Sequence, residues 1–217
     1  MTTFAKRAAG VAALATVAMI GAAHAQQAGP GSAMVKGATD ADVAQVLHDS
    51  FRAAGIATLD RLDQSELQRL CTQYAAKAIP AKVAGKLQKA ELAKVKAPAD
   101  GKYLGDWKEG EKVAQNGRGM QFTDKADTVN GGNCYACHQM TKAEISYGNI
   151  GPSLYNYGKL RGDSPDVVKY TWAKVYDSHS FTACSTMPRF GAAGVLTEQQ
   201  LKDVMALLLD PASPVNQ

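Results

Sequence analysis

The stretch GGNCYACHQM, residues 131–140, sets Cys134 and Cys137 three apart and puts His138 directly after the second cysteine. Three chemistries use such spacing. A thioredoxin-type redox pair expects a βαβ pattern around it, and none is visible in the sequence. A zinc site needs four ligands, yet no second closely spaced Cys or His pair follows, since His179 and Cys184 stand five apart and isolated. Covalent haem c needs one thiol for each vinyl group and an adjacent imidazole directed at the iron, and C-x-x-C-H supplies all three within one turn of chain. The surroundings decide in favour of the third.

The N-terminus narrows the compartment. Lys6 and Arg7 precede the apolar run GVAALATVAMIG and then Ala23-His24-Ala25, the pattern of a signal peptide over residues 1–25 with a mature chain starting near Gln26. The apolar run falls short of the roughly 20 residues that span a bilayer, and no later segment reaches that length, so no membrane anchor is expected. The expectation is an exported, periplasmic protein. The whole chain carries 24 Lys and Arg against 20 Asp and Glu, a net charge of +4. Without Lys6 and Arg7 the balance is 22 against 20, or +2, which argues against bulk nucleic-acid binding.

Haem iron held by one histidine needs a second ligand or an open face. The soft or nitrogenous donors downstream are Met140, His179, Cys184, Met187 and Met205. Met140 lies too near the attachment turn to reach the other face. Met205 falls at helical spacing with Leu201, Val204 and Leu208, which marks it as core. Met187 stands outside any helical pattern, in SFTACSTMPRFGAAG, where Pro188 removes a backbone donor and discourages helix. Met187 is therefore the expected distal ligand, with His179 and Cys184 as the alternatives. Met/His ligation raises the potential and leaves no open position, which suits electron transfer.

The flanking pattern is helical throughout, so the fold class expected is all-α. Asp106 with Glu109 forms an acidic capping box opening DWKEGEKVAQNGRGMQF, where Gly110, Ala114 and Gly117 would permit a close helix crossing. Thr197 and Gln200 make a second box, Leu196 and Leu201 a hydrophobic staple, and Pro211 a stop. A middle helix is expected around residues 165–175.

These features resemble the monohaem c-type cytochrome core of the mitochondrial-like class, whose Gly-Pro-x-Leu segment is matched by GNIGPSLYNYG at residues 148–158. Within that class, GNCYACH, NIGPSLYNYGKLRG, ACSTMPRFG and LTEQQLKDVMALLLDPASPVN together resemble the SoxX family, the cytochrome subunits of SoxAX complexes, over roughly residues 103–216. The resemblance implies Cys134 and Cys137 as attachment points for one haem c, His138 and Met187 as its axial ligands, and SoxA as partner subunit. It further implies a role in oxidatively joining thiosulfate to a cysteine of the SoxYZ carrier protein, an L-cysteine S-thiosulfotransferase reaction, with electrons passed to a small cytochrome c.

Residues 26–102 precede the expected cytochrome domain, residues 103–217, as a helical extension. Thr39 with Asp42 predicts one helix, Asp63 with Glu66 a second that carries Leu67, Leu70, Cys71 and Tyr74 on one side, and Pro80 a third running to about Lys96. The extension either packs on its own core or lays its apolar faces on a partner. With Cys134 and Cys137 committed to haem, Cys71 and Cys184 are the thiols left in an oxidising compartment, and a disulfide between them is expected; the alternative is one buried inert thiol and one functional one. Seven lysines from Lys77 to Lys102, against Glu91 and Asp100 alone, read first as a solvated helix face and second as a docking patch for an acidic partner. Two rival functions remain open: a freestanding electron-shuttle cytochrome, and the cytochrome subunit of a different periplasmic sulfur-compound dehydrogenase.

Overall fold

A computed structural model describes residues 38–217. The expected signal peptide lies outside the described residues. These are all-α, with no strand and one isolated antiparallel bridge between Ala54 and Ala57. The helices are α1 (Asp40–Ser50), α2 (Glu66–Gln73), α3 (Ala81–Leu92), α4 (Trp107–Gln115), α5 (Tyr157–Arg161), α6 (Pro165–Tyr176) and α7 (Glu198–Leu209), joined by long loops and single 3-10 turns. Residues 44–217 form one compact unit, which holds both the C-x-x-C-H motif and most of the extension. None of the described helices is long and apolar enough to cross a membrane.

The core is built on α7. Its staple and capping box are both in place: Thr197 accepts from the Gln200 amide, Gln200 reaches back to the Thr197 amide at 3.0 Å, and Leu196 and Leu201 are buried. Every residue from Leu201 to Leu209 is buried, so α7 is enclosed on all sides rather than along one stripe. Each fully buried Leu, Val or Met contributes about 1.5–3 kcal/mol relative to exposure. That burial is made possible by α4, which crosses α7 at close range: a Cβ on Gly110 would overlap the Asp203 carbonyl, and Ala114 has no exposed surface. The Asp203 carboxylate accepts from the Asp106 amide at 2.9 Å and so fixes where α4 starts.

Helix boundaries differ from expectation in instructive ways. α4 ends at Gln115 because Asn116 is extended and Gly119 takes a φ of 117, so Gly117 lies beyond the helix, against Asn133 rather than α7. Asp106 caps α4 through the Lys108 amide at 2.8 Å, whereas Glu109 pairs with Lys112 at 2.6 Å instead of closing a box. α2 is capped by a Ser65–Gln68 box, not by Asp63, and α3 begins after Pro80 as expected but stops at Leu92. Thr39 and Asp42 do exchange hydrogen bonds at 2.7 and 3.2 Å across the first turn of α1.

α2 and α3 pack on their own chain, burying Leu67, Leu87 and Glu91. Three ties bind this part of the extension to the rest: a disulfide joins Cys71 to Cys184, Gln88 donates to the Phe181 carbonyl at 3.0 Å, and Trp172 donates through its indole N–H to the Lys96 carbonyl at 2.8 Å. α1 has no buried residue. Lys82, Lys86, Lys89 and Lys94 are solvent-exposed, with Lys94 paired to Glu91 at 2.7 Å, which is the arrangement of a solvated face.

Candidate haem site

The C-x-x-C-H turn hangs from the end of α4. The Gly132 amide donates to the Val113 carbonyl at 2.8 Å, the Asn133 amide to the Asn116 carbonyl at 3.0 Å, and the Gly131 amide to the Arg118 carbonyl at 2.8 Å. A side chain on Gly131 would overlap the Asn116 carbonyl, so glycine is required for the approach. Cys134–Ala136 then forms a single 3-10 turn, closed by the Cys137 and His138 amides on the Cys134 carbonyl at 3.1 and 2.9 Å. Cys134, Cys137 and His138 thus lie on one tight turn of backbone.

Two further ties orient the histidine. The Gly151 amide donates to the Cys137 carbonyl at 2.9 Å, and His138 Nδ1 meets the Pro152 carbonyl at 2.7 Å. As a carbonyl only accepts, Nδ1 carries the proton and Nε2 is left with its lone pair free. That is the tautomer of a histidine ligand, fixed by a hydrogen bond behind the ring. The ring rests against Gly151, where a Cβ would overlap it. Tyr135 packs into the core beneath the turn and donates its hydroxyl to Glu111 at 2.9 Å, tying the turn to α4 a second time.

The two thiols of the turn are not bonded to each other, although the chain's other two cysteines form a disulfide. Burial pushes the Cys134 thiol up to about 12. A group so reluctant to ionise is a poor thiolate for exchange or for zinc, whereas an uncharged thioether suits its apolar slot. Among the described residues, no group of three or more His, Cys, Asp and Glu side chains gathers as a metal cage. The donor set therefore fits covalent haem c: two thiols and one oriented imidazole.

The other ligand candidates separate by burial. Met140 and Met205 are core residues at 1 % and 0 % exposure, and Cys184 is in the disulfide. His179 is buried, and loss of solvent followed by the charge of Arg189 holds its imidazole below the usual range. Met187 is half-buried, packs at the edge of the core cluster that Cys134 also borders, and sits in a loop rather than a helix. Its carbonyl accepts from the Ser178 hydroxyl at 2.6 Å, and its amide donates to Ser185 Oγ at 3.2 Å. Ser178 escaped the sequence reading because a lone serine between helices carries no pattern. The charge of Arg189 lowers both the Asp177 carboxyl and the His179 imidazole, the former against a net rise caused by burial.

No family model matches the chain. An uncharacterized lipoprotein of Aquifex aeolicus (strain VF5) is 42% identical over 125 residues, 57% of this chain and 59% of the relative. The chain thus spans less than two thirds of the length of that curated relative.

Proposed function

We propose that this chain is an exported haem c protein of the SoxX type, the electron-accepting subunit of a complex that oxidatively joins thiosulfate to a carrier cysteine. The observation that carries the reading is the His138 geometry: a ring held through Nδ1 by the Pro152 carbonyl at 2.7 Å, on the same turn as two thiols left out of the chain's disulfide. The signal-like leader and the description of the Aquifex relative as a lipoprotein support export.

Haem bound here would supply a one-electron couple. Cys134 and Cys137 would hold it by thioethers, and His138 Nε2 and the Met187 sulfur would be the iron's protein ligands. Pro152 holds the imidazole tautomer, and Ser178 holds the backbone from which Met187 projects. Joining thiosulfate to a carrier thiol forms one S–S bond, breaks one S–H bond, and releases a proton and two electrons. One haem accepts one of these, so a second acceptor, in SoxA or through two sequential transfers, is part of the proposal; a small cytochrome c then takes the electrons onward.

The packing of α2 and α3 also favours a second reading, a freestanding electron shuttle. In that reading the extension braces the ligand loop and needs no partner. Isolation of the tagged protein from its native periplasm separates the two. A second c-type cytochrome that co-purifies, with haem reduction by thiosulfate only when the carrier protein is added, supports the SoxAX reading. A protein that emerges alone and merely exchanges electrons with small cytochromes supports the shuttle. A chain with no covalent haem overturns both.

A further inference from the structure

The disulfide between Cys71 and Cys184 is not sealed in the core. Both cysteines are only half-buried, and a cavity of about 360 Å³ opens beside them, lined by Cys71, Tyr74, Ala75, Lys77, Ile79 and Cys184. Tyr74, Ala75, Lys77 and Ile79 all follow Cys71 in sequence, so the wall is built from the segment after the last turn of α2. Lys77 is the one cation of that lining, and its ammonium lies 5.3 Å from the centroid of the Tyr74 ring. Cys184 has a φ of 58, in the left-handed region that L residues other than Asn and Asp seldom occupy. Accessible disulfides and those held by a strained backbone are the labile ones; here the bond is part-exposed beside the cavity, and the strain lies in the backbone of Cys184.

We propose that this cavity is a thiol–disulfide exchange site for small anionic thiols, with Cys71 taking the incoming sulfur and Cys184 leaving. The thiolate attacks Cys71 Sγ from the cavity, a new S–S bond forms there, and the Cys71–Cys184 bond breaks. The electron pair departs on Cys184, which then takes a proton from water. One disulfide replaces another, so no outside oxidant or reductant is needed. Departure of Cys184 frees its backbone from the left-handed conformation, whereas Cys71 sits in the regular last turn of α2. Lys77 favours a nucleophile whose other end is negative, by attraction at short range. The inference goes beyond the haem reading and does not rest on it, because the cavity holds none of the proposed haem ligands.

The test uses the full mature chain, purified with its disulfide and any covalent cofactor in place. It is exposed to 2-mercaptoethanesulfonate, which is anionic, or to 2-aminoethanethiol, which is cationic. Reactions are quenched with acid, adducts are located by peptide mass mapping, and rates are compared per thiolate. The expected result is an adduct on Cys71 with a free thiol at Cys184, formed roughly two- to fivefold faster by the anionic thiol. Lys77→Glu should reverse that order, and since Lys77 is exposed the variant should unfold at the same temperature as the parent. An adduct found on Cys184 instead, or none until the protein is unfolded, overturns the site. A charge preference untouched by Lys77→Glu overturns the ligand class. The readout is a mass, so it stands or falls separately from the presence of haem.

Discussion

The two loops that carry the proposed iron ligands are held in different ways. The proximal loop, residues 131–154, is fixed by backbone bonds to its immediate surroundings: α4 and the chain just after it take the amides of Gly131, Gly132 and Asn133, and the Tyr135, Cys137 and Gln139 carbonyls take those of Gly148, Gly151 and Leu154. The distal loop, residues 181–191, has fewer bonds of its own and leans on distant groups. Cys71 and Gln88 reach it from the extension, and Ser178 holds Met187. Under the proposed function, His138 would bind from a self-supporting turn, while Met187, whose bond strength would help set a potential, would bind from a loop that other parts of the molecule position. On this view the extension belongs to the site.

The largest effect expected is from removing the long-range tie. Cys71→Ala with Cys184→Ala opens a covalent loop of 113 residues, which costs about 2–5 kcal/mol through the freedom returned to the unfolded chain. Urea unfolding should show that loss, and the spectrum should show covalent haem retained with the methionine ligation weakened. If stability and methionine ligation are both unchanged, the distal loop supports itself and the contrast between the loops is lost.

Gly151→Ala is the reciprocal break. Its Cβ would overlap the His138 ring, and overpacking of this kind costs about 1–3 kcal/mol. The imidazole must tilt, so the proximal bond should change while accessibility of the 181–191 loop to protease does not. Unaltered resonance Raman iron–histidine modes would show that His138 is not held against Gly151 as a ligand. Ser178→Ala is milder, about 1 kcal/mol, because one hydrogen bond to the Met187 carbonyl is lost. Its signature should be confined to the distal side, read as a faster displacement of Met187 by added imidazole.

Local rules made much of this legible in the sequence. The α7 box and staple are short-range patterns and both appear in the structure, as does the close approach of Gly110 to α7; the expected apolar stripe instead became a helix buried on every side from Leu201 to Leu209. That Cys134, Cys137 and His138 share one tight turn was legible because the motif fits into five residues. Two kinds of feature were not. Caps chosen among neighbouring polar residues misled, since Ser65 rather than Asp63 opens α2 and only the folded backbone decides between them. Long-range polar ties such as Gln88 to Phe181, or Tyr135 to Glu111, leave no periodic trace because each joins residues with no fixed separation. The whole burial of Lys202 and Asp203 on α7 was likewise invisible: their polar ends are met by Asp100 at 2.8 Å and by the Asp106 amide at 2.9 Å, from segments about a hundred residues away.

The last effect sharpens the proximal side alone. Burial raises the Cys134 thiol to about 12 in the folded chain, from its ordinary value of 9.0. A group whose pKa is higher when folded lends stability that is fully present below the unfolded value and is lost as pH rises through the folded one. The chain without haem should therefore lose stability between pH 9 and pH 12 as the unfolded thiol ionises and the folded one resists. A thioether carries no proton, so the haem-loaded chain should lack this contribution. Tyr135 and Tyr157, both raised chiefly by burial, are present in both forms and cancel in the difference. Urea unfolding of loaded and unloaded protein at pH 8, 9 and 10 supplies that difference directly. Curves that diverge, with the unloaded chain falling faster, place the Cys134 sulfur in an apolar slot that only an uncharged sulfur suits. Curves that stay parallel would mean the thiol is solvated, and the proximal turn would then be less enclosed than its backbone bonds imply.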